Sequence, residues 1–372
     1  MCRGQDKVEE RRSARFLGGC LQMSCHRLPP REGAYLVTII IVNWNGGEAL
    51  LRCLDSIRAS RSSFFAKVII VDNDSRDGSR ELAMAEFPEF LVLNTGANLG
   101  FGRGNNFARR YTETPLVLFL NPDTELFPDT LEKAVRSLLS RQRVGILGCQ
   151  ARHVDGSIRE LGLQWFPTPE RAFLELVAGK LLWRKPIARL LPWQDPRRSG
   201  PVRKLYGGFM LCRRETLEAA GWFDERYFMY AEDVDLSRTV RERGWELYYD
   251  ADCTIVHRGG ATSDKAPSGF SVLMQLRSTN QMIEKYQGRQ AARRHRWAVG
   301  LAAAFRLSAL GIARLPQRAW NASRRVPWES AWQRSLLLWQ WAWHGREAPI
   351  PAYPTEQPAS TATRSVSAIE KV

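Results

Sequence analysis

Leu116-Val-Leu-Phe-Leu120 is a run of five apolar residues with β-branched and aromatic members, closed by Asn121-Pro122-Asp123. Such a run predicts a short strand buried on both faces, which belongs in the middle of a mainly parallel sheet covered by helices. Pro122 has no N–H to give to a ladder, so the strand stops there. Asp123 then leaves the carboxyl end of a central strand, the edge at which open α/β sheets take ligands. A carboxylate beside a core needs a cation or hydrogen-bond donors. A divalent metal carrying a diphosphate would supply the first, and the start of the next helix the second. The tripeptide alone leaves both readings open.

The flanking segments repeat the pattern. Tyr35–Val42, Lys67–Val71, Phe90–Leu93 and Val144–Cys149 read as strands. Between them Glu48–Ser60, Ser79–Phe87, a segment opened by Asn98-Leu-Gly-Phe-Gly-Arg-Gly-Asn-Asn106, and Pro128–Arg141 read as helices. Strand and helix alternate at short intervals, which predicts a doubly wound, mainly parallel sheet with its polar loops at one edge. Further on, Arg159–Trp165 and Lys204–Cys212 read as strands around an insertion at about 166–203, in which Ala172–Leu191 has helical spacing. Glu215–Ala220 reads as a helix, and Trp245–Tyr249 and Thr254–His257 as strands. Two nucleotide motifs are excluded. No segment supplies G-x-x-x-x-G-K-[ST], and Gly100-Phe-Gly102 starts a dinucleotide fingerprint whose third glycine is replaced by Asn105.

Glu232-Asp233-Val234-Asp235 puts three acids within four positions after an aromatic-rich stretch. A helix starting near Asp233 would favour those carboxylates through its dipole, whether they cap it or do chemistry. Gly207-Gly208 permits close backbone approach. His257, at a strand end, reads by itself as a structural donor.

With 372 residues, 44% of them hydrophobic, the chain can bury one sizeable core and a smaller appendage. Its seven cysteines are scattered without a C-x-x-C pair, which excludes a zinc ribbon or disulfide framework and fits a reducing cytoplasm. Residues 1–34 lack the apolar run of a signal peptide and read as a disordered arm or a misassigned start. Net charge is +15, and residues 289–347 hold +9 of it, with eleven Arg against two Glu, and seven of the thirteen Trp. Basic residues, Trp and Leu at helical spacing predict an interfacial helix on an anionic membrane surface. Packing onto the main domain and a dimer contact are the alternatives. No motif accompanies the charge that would indicate nucleic acid. Residues 348–372 read as a disordered tail.

Taken together the chain resembles the inverting glycosyltransferases of family 2, with the GT-A fold, and within them the rhamnosyltransferase-like branch. The resemblance covers about 35–290. It is carried by Val42-Asn43-Trp44-Asn45, Val71-Asp72-Asn73-Asp74-Ser75 with Asp77-Gly78-Ser79, and Asn98-Leu99-Gly100-Phe101. Asn121-Pro122-Asp123, Gly207-Gly208-Phe209, Phe223-Asp224-Glu225, Glu232–Asp235 and His257 complete it. It implies a GT-A domain over 35–288 with a helical appendage over 289–347. It also implies that Asn43, Asn45, Asp72, Asn98, Gly100, Asn105, Gly207 and Gly208 surround a nucleotide sugar, with Asp72 on the base. Asp123 takes the place of the last acid of the family's D-x-D motif, with Asn121 in the first place. Asp123 and His257 are then the metal ligands for Mg or Mn, Asp233 the catalytic base and Glu232 its neighbour in position. Asp235 and Arg238 are expected to brace the turn as an ion pair. The implied partners are a nucleoside-diphosphate sugar, such as an activated rhamnose, and a polysaccharide or lipid-linked acceptor. The implied location is the cytoplasmic face of a membrane. Two other readings remain. A nucleotidyltransferase would need a Gly-rich, Lys-containing triphosphate loop that this sequence lacks, and a non-catalytic scaffold would have no use for Asp233.

Overall fold

The computed structural model describes residues 36–160, 164–182, 194–259, 269–317 and 328–344. Strand β1 (Val37–Asn43) is buried along its whole length, and so is β4 (Leu116–Leu120). Alternation explains how both faces are covered. Ile39, Ile41, Leu118 and Leu120 join one core with Leu50 and Leu54 of helix α1 (Gly47–Arg58) and Leu131 and Val135 of α4 (Thr130–Leu139). Ile40, Val42, Val117 and Phe119 join the other core with Leu217, Leu236 and Val240. Each fully buried side chain of this kind contributes roughly 1.5–3 kcal/mol, so the two-layer cover is what fixes the sheet.

The remaining N-terminal elements are β2 (Ala66–Asp72), α2 (Ser79–Glu86), β3 (Leu91–Asn94), α3 (Phe101–Phe107), β5 (Thr124–Leu126) and β6 (Val144–Arg152). Then come α5 (Pro169–Leu182), β7 (Gly200–Val202), β8 (Phe209–Arg213), α6 (Arg214–Ala220), α7 (Glu232–Glu242) and β9 (Glu246–His257). The sheet order is β3-β2-β1-β4-β8-β6-β9-β5, with β7 paired to β9. The doubly wound sheet expected from the sequence is present. It is parallel from β3 to β4 and mixed beyond, because β8 runs antiparallel to both β4 and β6.

Four details differ from the sequence reading. The strand expected from Lys204 starts only at Phe209, after the Gly207-Gly208 turn. The two strands expected over 245–257 are one, β9, whose register shifts opposite Cys149–Gln150. Residues 159–160 and 164–165 are not strand, and 161–163 lie outside the described residues. The short strands β5 and β7 had no visible pattern. The expected arm, tail and residues 183–191 of the insertion also lie outside the described residues.

Two C-terminal helices complete the molecule. Helix α8 (Phe270–Gln317) is broken at Gly288, whose φ is 84°, and α9 is Trp328–His344. They pack together with α5 through Leu273, Leu276, Val299, Ala303, Leu338 and Trp341. Among the described residues, no helix is long and apolar enough to cross a membrane.

Candidate active site

The end of β4 meets the start of β8. The Asn121 N–H donates to the Gly208 carbonyl at 3.1 Å, which fixes the Asn-Pro-Asp turn against the Gly-Gly turn. Asp123 Oδ1 lies 3.3 Å from His257 Nε2, and both side chains are nearly buried. On its other side, His257 Nδ1 is 2.6 Å from an Arg159 nitrogen. Arginine only donates, so Nδ1 must accept. Nε2 then carries the proton and donates a hydrogen bond to Asp123, with the Asn121 amide also 3.3 Å from that nitrogen. Burial holds His257 below its ordinary pKa, in keeping with a neutral ring.

This arrangement bears on the expected metal. Among the described residues no three or more His, Cys, Asp or Glu gather into a group that could hold an ion. Asp123 fits a hard cation whose other positions are filled by phosphate and water oxygens. With Nδ1 accepting from Arg159, His257 Nε2 is not free to ligate an ion. A coordinating Nε2 must be free of its proton, and Nδ1–H would then face a guanidinium. The ring is instead placed to orient Asp123.

The acidic turn faces the same space. Tyr230 and Ala231, just before α7, are both left-handed, at φ 66° and 65°. That costs roughly 1–2 kcal/mol per residue, so neighbouring contacts must impose it. Phe101 N–H donates to Phe228 O at 3.0 Å, and Ser278 Oγ donates to Met229 O at 2.7 Å. Lys285 on α8 reaches Asp224 at 2.8 Å and Asp235 at 2.8 Å, and Tyr227 O–H donates to Asp235 at 3.1 Å. Asp235 is thus braced by Lys285, not by Arg238 as expected. Arg238 pairs with Glu242 and stacks on Tyr286, because one helical turn brings Glu242 under it.

Asp233 Oδ2 accepts the Gly207 N–H at 2.9 Å, and Oδ1 accepts the Val234 N–H at 2.8 Å. Burial raises its pKa, partly offset by these donors and by the charge of Lys204. Glu232 stands beside Asp233, with its Cβ against Gly102 of α3. It is 6% exposed, and its Oε2 is buried without a hydrogen-bond partner. Burial, then the Asp233 charge, push its pKa up to about 8. A Cβ on Gly207 would stand 3.4 Å from the Asp233 carboxylate, and one on Gly100 would sit 2.1 Å from Phe228 O. Gly100 is therefore required for close approach, whereas a Cβ at Gly207 would only touch the carboxylate.

One cavity of about 720 Å³ is lined by Asp123, His257, Glu232 and Asp233, together with Asn98, Gly100, Gly207 and Gly208. Asn43, Asn45, Asp72 and Asn105 are expected there too, but they are not among the residues that line it. Asp72 has no exposed surface, and its oxygens accept from Asn43 Nδ2 at 2.8 Å and Ser75 N at 2.9 Å. Asn43 is equally buried, and Asn45 is tied to Ser75 and Arg76. Asn105 Nδ2 donates to Phe101 O within its own helix. These residues shape the loops that Asn73, the next residue after Asp72, presents to the cavity, with Asn73 Nδ2 held on Gly100 O at 3.0 Å. Sequence reasoning missed Asn73, Arg159, Lys204 and Tyr206 as lining residues. The far wall is apolar, made by Leu176, Leu276, Met282 and Leu338.

Comparison with known proteins adds a lineage to this geometry. Residues 38–217 match the model of the family described as Glycosyl transferase family 2. The chain is 29% identical over 245 residues to an N-acetylglucosaminyl-diphospho-decaprenol L-rhamnosyltransferase of Mycobacterium tuberculosis, covering 63% of this chain and 79% of that one. It is 25% identical over 229 residues to the rhamnosyltransferase WbbL of Escherichia coli, covering 60% and 83%. A mannosyltransferase of Pyrobaculum calidifontis, solved with GDP-Man and Mn2+, aligns over 83% of this chain and 88% of its own with 18% identity and a TM-score of 0.49.

Proposed function

Since the chain belongs to glycosyl transferase family 2, we propose that it moves a sugar from a nucleoside diphosphate to a hydroxyl of a lipid-linked glycan, by a single displacement that inverts the anomeric carbon. The relatives support rhamnose as the sugar and a sugar on a polyprenyl diphosphate as the acceptor. Residues 35–288 would be the catalytic unit, with the helices from 289 as an appendage. The observation that carries the reading is that Asp123 and Asp233 line one cavity from two turns held together by the Asn121–Gly208 and Gly207–Asp233 hydrogen bonds.

Asp233 is the base. Its raised pKa makes the carboxylate a better proton acceptor than a solvated one, and its two backbone donors fix where the lone pairs point. Opposite, the departing diphosphate needs positive charge. A divalent ion, Mg or Mn, on Asp123 would neutralise the phosphate oxygens, while His257 keeps that carboxylate oriented and Arg159 and Lys204 add fixed cations to the same cavity. Asn73, Asn98 and Gly100 form the wall nearest the expected nucleoside loops.

Asp233→Asn and Asp123→Ala separate the two roles. D233N is expected to bind the donor as the parent does and to lose transfer by about 10²–10⁴-fold. D123A is expected to lose the part of donor affinity that calorimetry finds only with Mn2+ present. Normal turnover by D233N would remove the base assignment, and a donor affinity that ignores both Mn2+ and D123A would remove the metal.

A further inference from the structure

Helix α8 carries a second feature that the reaction does not use. Beyond the break at Gly288 its buried face is Ala291, Ala292, His295, Val299, Ala302 and Ala303, which pack inward on α9 and the cavity wall. The opposite face is not polar. Trp297 is 59% exposed, Leu301 62%, Phe305 59% and Ile312 67%. The spacings of four, four and seven residues align them on one side of the helix over about 22 Å. Beside them stand Trp339 and Trp343 of α9. Trp343 is edge-on to Trp297 at 5.1 Å and to Trp339 at 5.3 Å. A groove of about 370 Å³ between the two helices is lined by this aromatic cluster with Leu301, Arg293 and Arg296. Arg293 lies one turn before Trp297 on the same line, and it is exposed.

Large side chains lined up in water on a helix that buries its small ones mark a contact surface. We propose that this stripe is where the protein docks onto a negatively charged lipid bilayer, with Trp297, Leu301, Phe305 and Ile312 entering the headgroup boundary and Arg293 meeting lipid phosphates. Charge selects the occupant. The segment 289–347 carries +9, and a second copy would set the same arginines against each other around a two-fold axis. An anionic leaflet complements them. The indole cluster agrees, because Trp side chains sit at the level where acyl chains give way to headgroups. The helix lies along the surface and does not cross it, as its arginines and its buried inner face require.

The test is flotation of the full chain with phosphatidylglycerol and with phosphatidylcholine vesicles, beside the triple variant Trp297→Gln, Leu301→Gln, Phe305→Gln and the single variant Arg293→Gln. The parent is expected to float with the anionic vesicles, and the triple variant to partition at least about tenfold less. Arg293→Gln is expected to weaken binding to anionic vesicles only, with the remainder falling as salt rises. The substituted side chains are exposed, so an unchanged melting temperature shows that the fold is intact. The proposal is overturned if the parent stays in the aqueous fraction, or if the triple variant floats equally well. It is also overturned if the parent is a dimer that the triple variant dissolves while neither binds vesicles. Transfer to a short, water-soluble acceptor is expected to be equal in parent and triple variant, so the docking surface and the reaction are read separately.

Discussion

Glu232 is the residue with the least satisfied surroundings in the cavity: nearly buried, next to another acid, one oxygen without a partner. Its folded-state pKa of about 8 against an ordinary 4.5 makes stability depend on pH in one direction. Between those values the folded protein holds a proton that the unfolded chain has released, so stability falls as pH rises through that window. Glu232→Gln, which imitates the protonated acid, is expected to leave the melting temperature unchanged near about pH 4 and to raise it by a few degrees near about pH 9. Equal melting curves for the two proteins at both pH values would show that Glu232 ionises freely. At this scale the sequence was partly legible. The acid pair, Asp123, His257 and the two glycines of the turn all reach the cavity. Asp72 does not, while Asn73 beside it does. Motif spacing names the loop, but the left-handed residue Asp74 and the Asn43 side chain decide which of the two neighbours turns outward.

At the level of elements, the acidic turn belongs to α8 as much as to the sheet. Lys285 ties Asp224 and Asp235 to that helix, and Asp235 is 2% exposed. Lys285→Met would leave the buried Asp235 without its cation and Asp224 with Arg226 alone. A cost of about 2–3 kcal/mol is expected, below the ~3–5 of a fully buried pair because Lys285 is itself partly solvated. Urea unfolding monitored by tryptophan fluorescence measures it, and an unchanged midpoint would mean that water replaces the lysine. The long, periodic elements β1, β4, α1 and α4 were readable because each buries a continuous or alternating apolar face. The Lys285 brace was not, since nothing in the spacing of Asp235 favours a partner fifty residues away over Arg238. β5 and β7 were missed for a related reason. Three-residue edge strands are made by their partner β9, not by a pattern of their own.

At the scale of the whole molecule, the cavity is shared between layers of different character. The sheet supplies carboxylates, amides and cations, and α5, α8 and α9 supply an apolar far wall. A glycan on a long isoprenoid has the same two halves. Substituting the half-buried wall residues Leu176 and Val272 with Gln is therefore expected to raise KM for a long-chain acceptor several-fold while leaving donor affinity and the short-chain reaction in place. Steady-state kinetics with acceptors of two chain lengths decides this, and identical KM changes for both would assign the wall to stability alone. The alternation of strands and helices made the first half of the sheet predictable. The reversal of β8 was not predictable, because its five apolar residues read the same in either direction.

That reversal has a mechanical result. A strand running backwards beside β4 begins where β4 ends, so the Asn121–Asp123 turn and the Gly207-Gly208 turn that holds Asp233 are adjacent rungs of one ladder. Their separation is set by interstrand spacing and not by loop length. For the proposed reaction, the gap between leaving group and base is then framed by the sheet itself and by the single Gly207–Asp233 hydrogen bond.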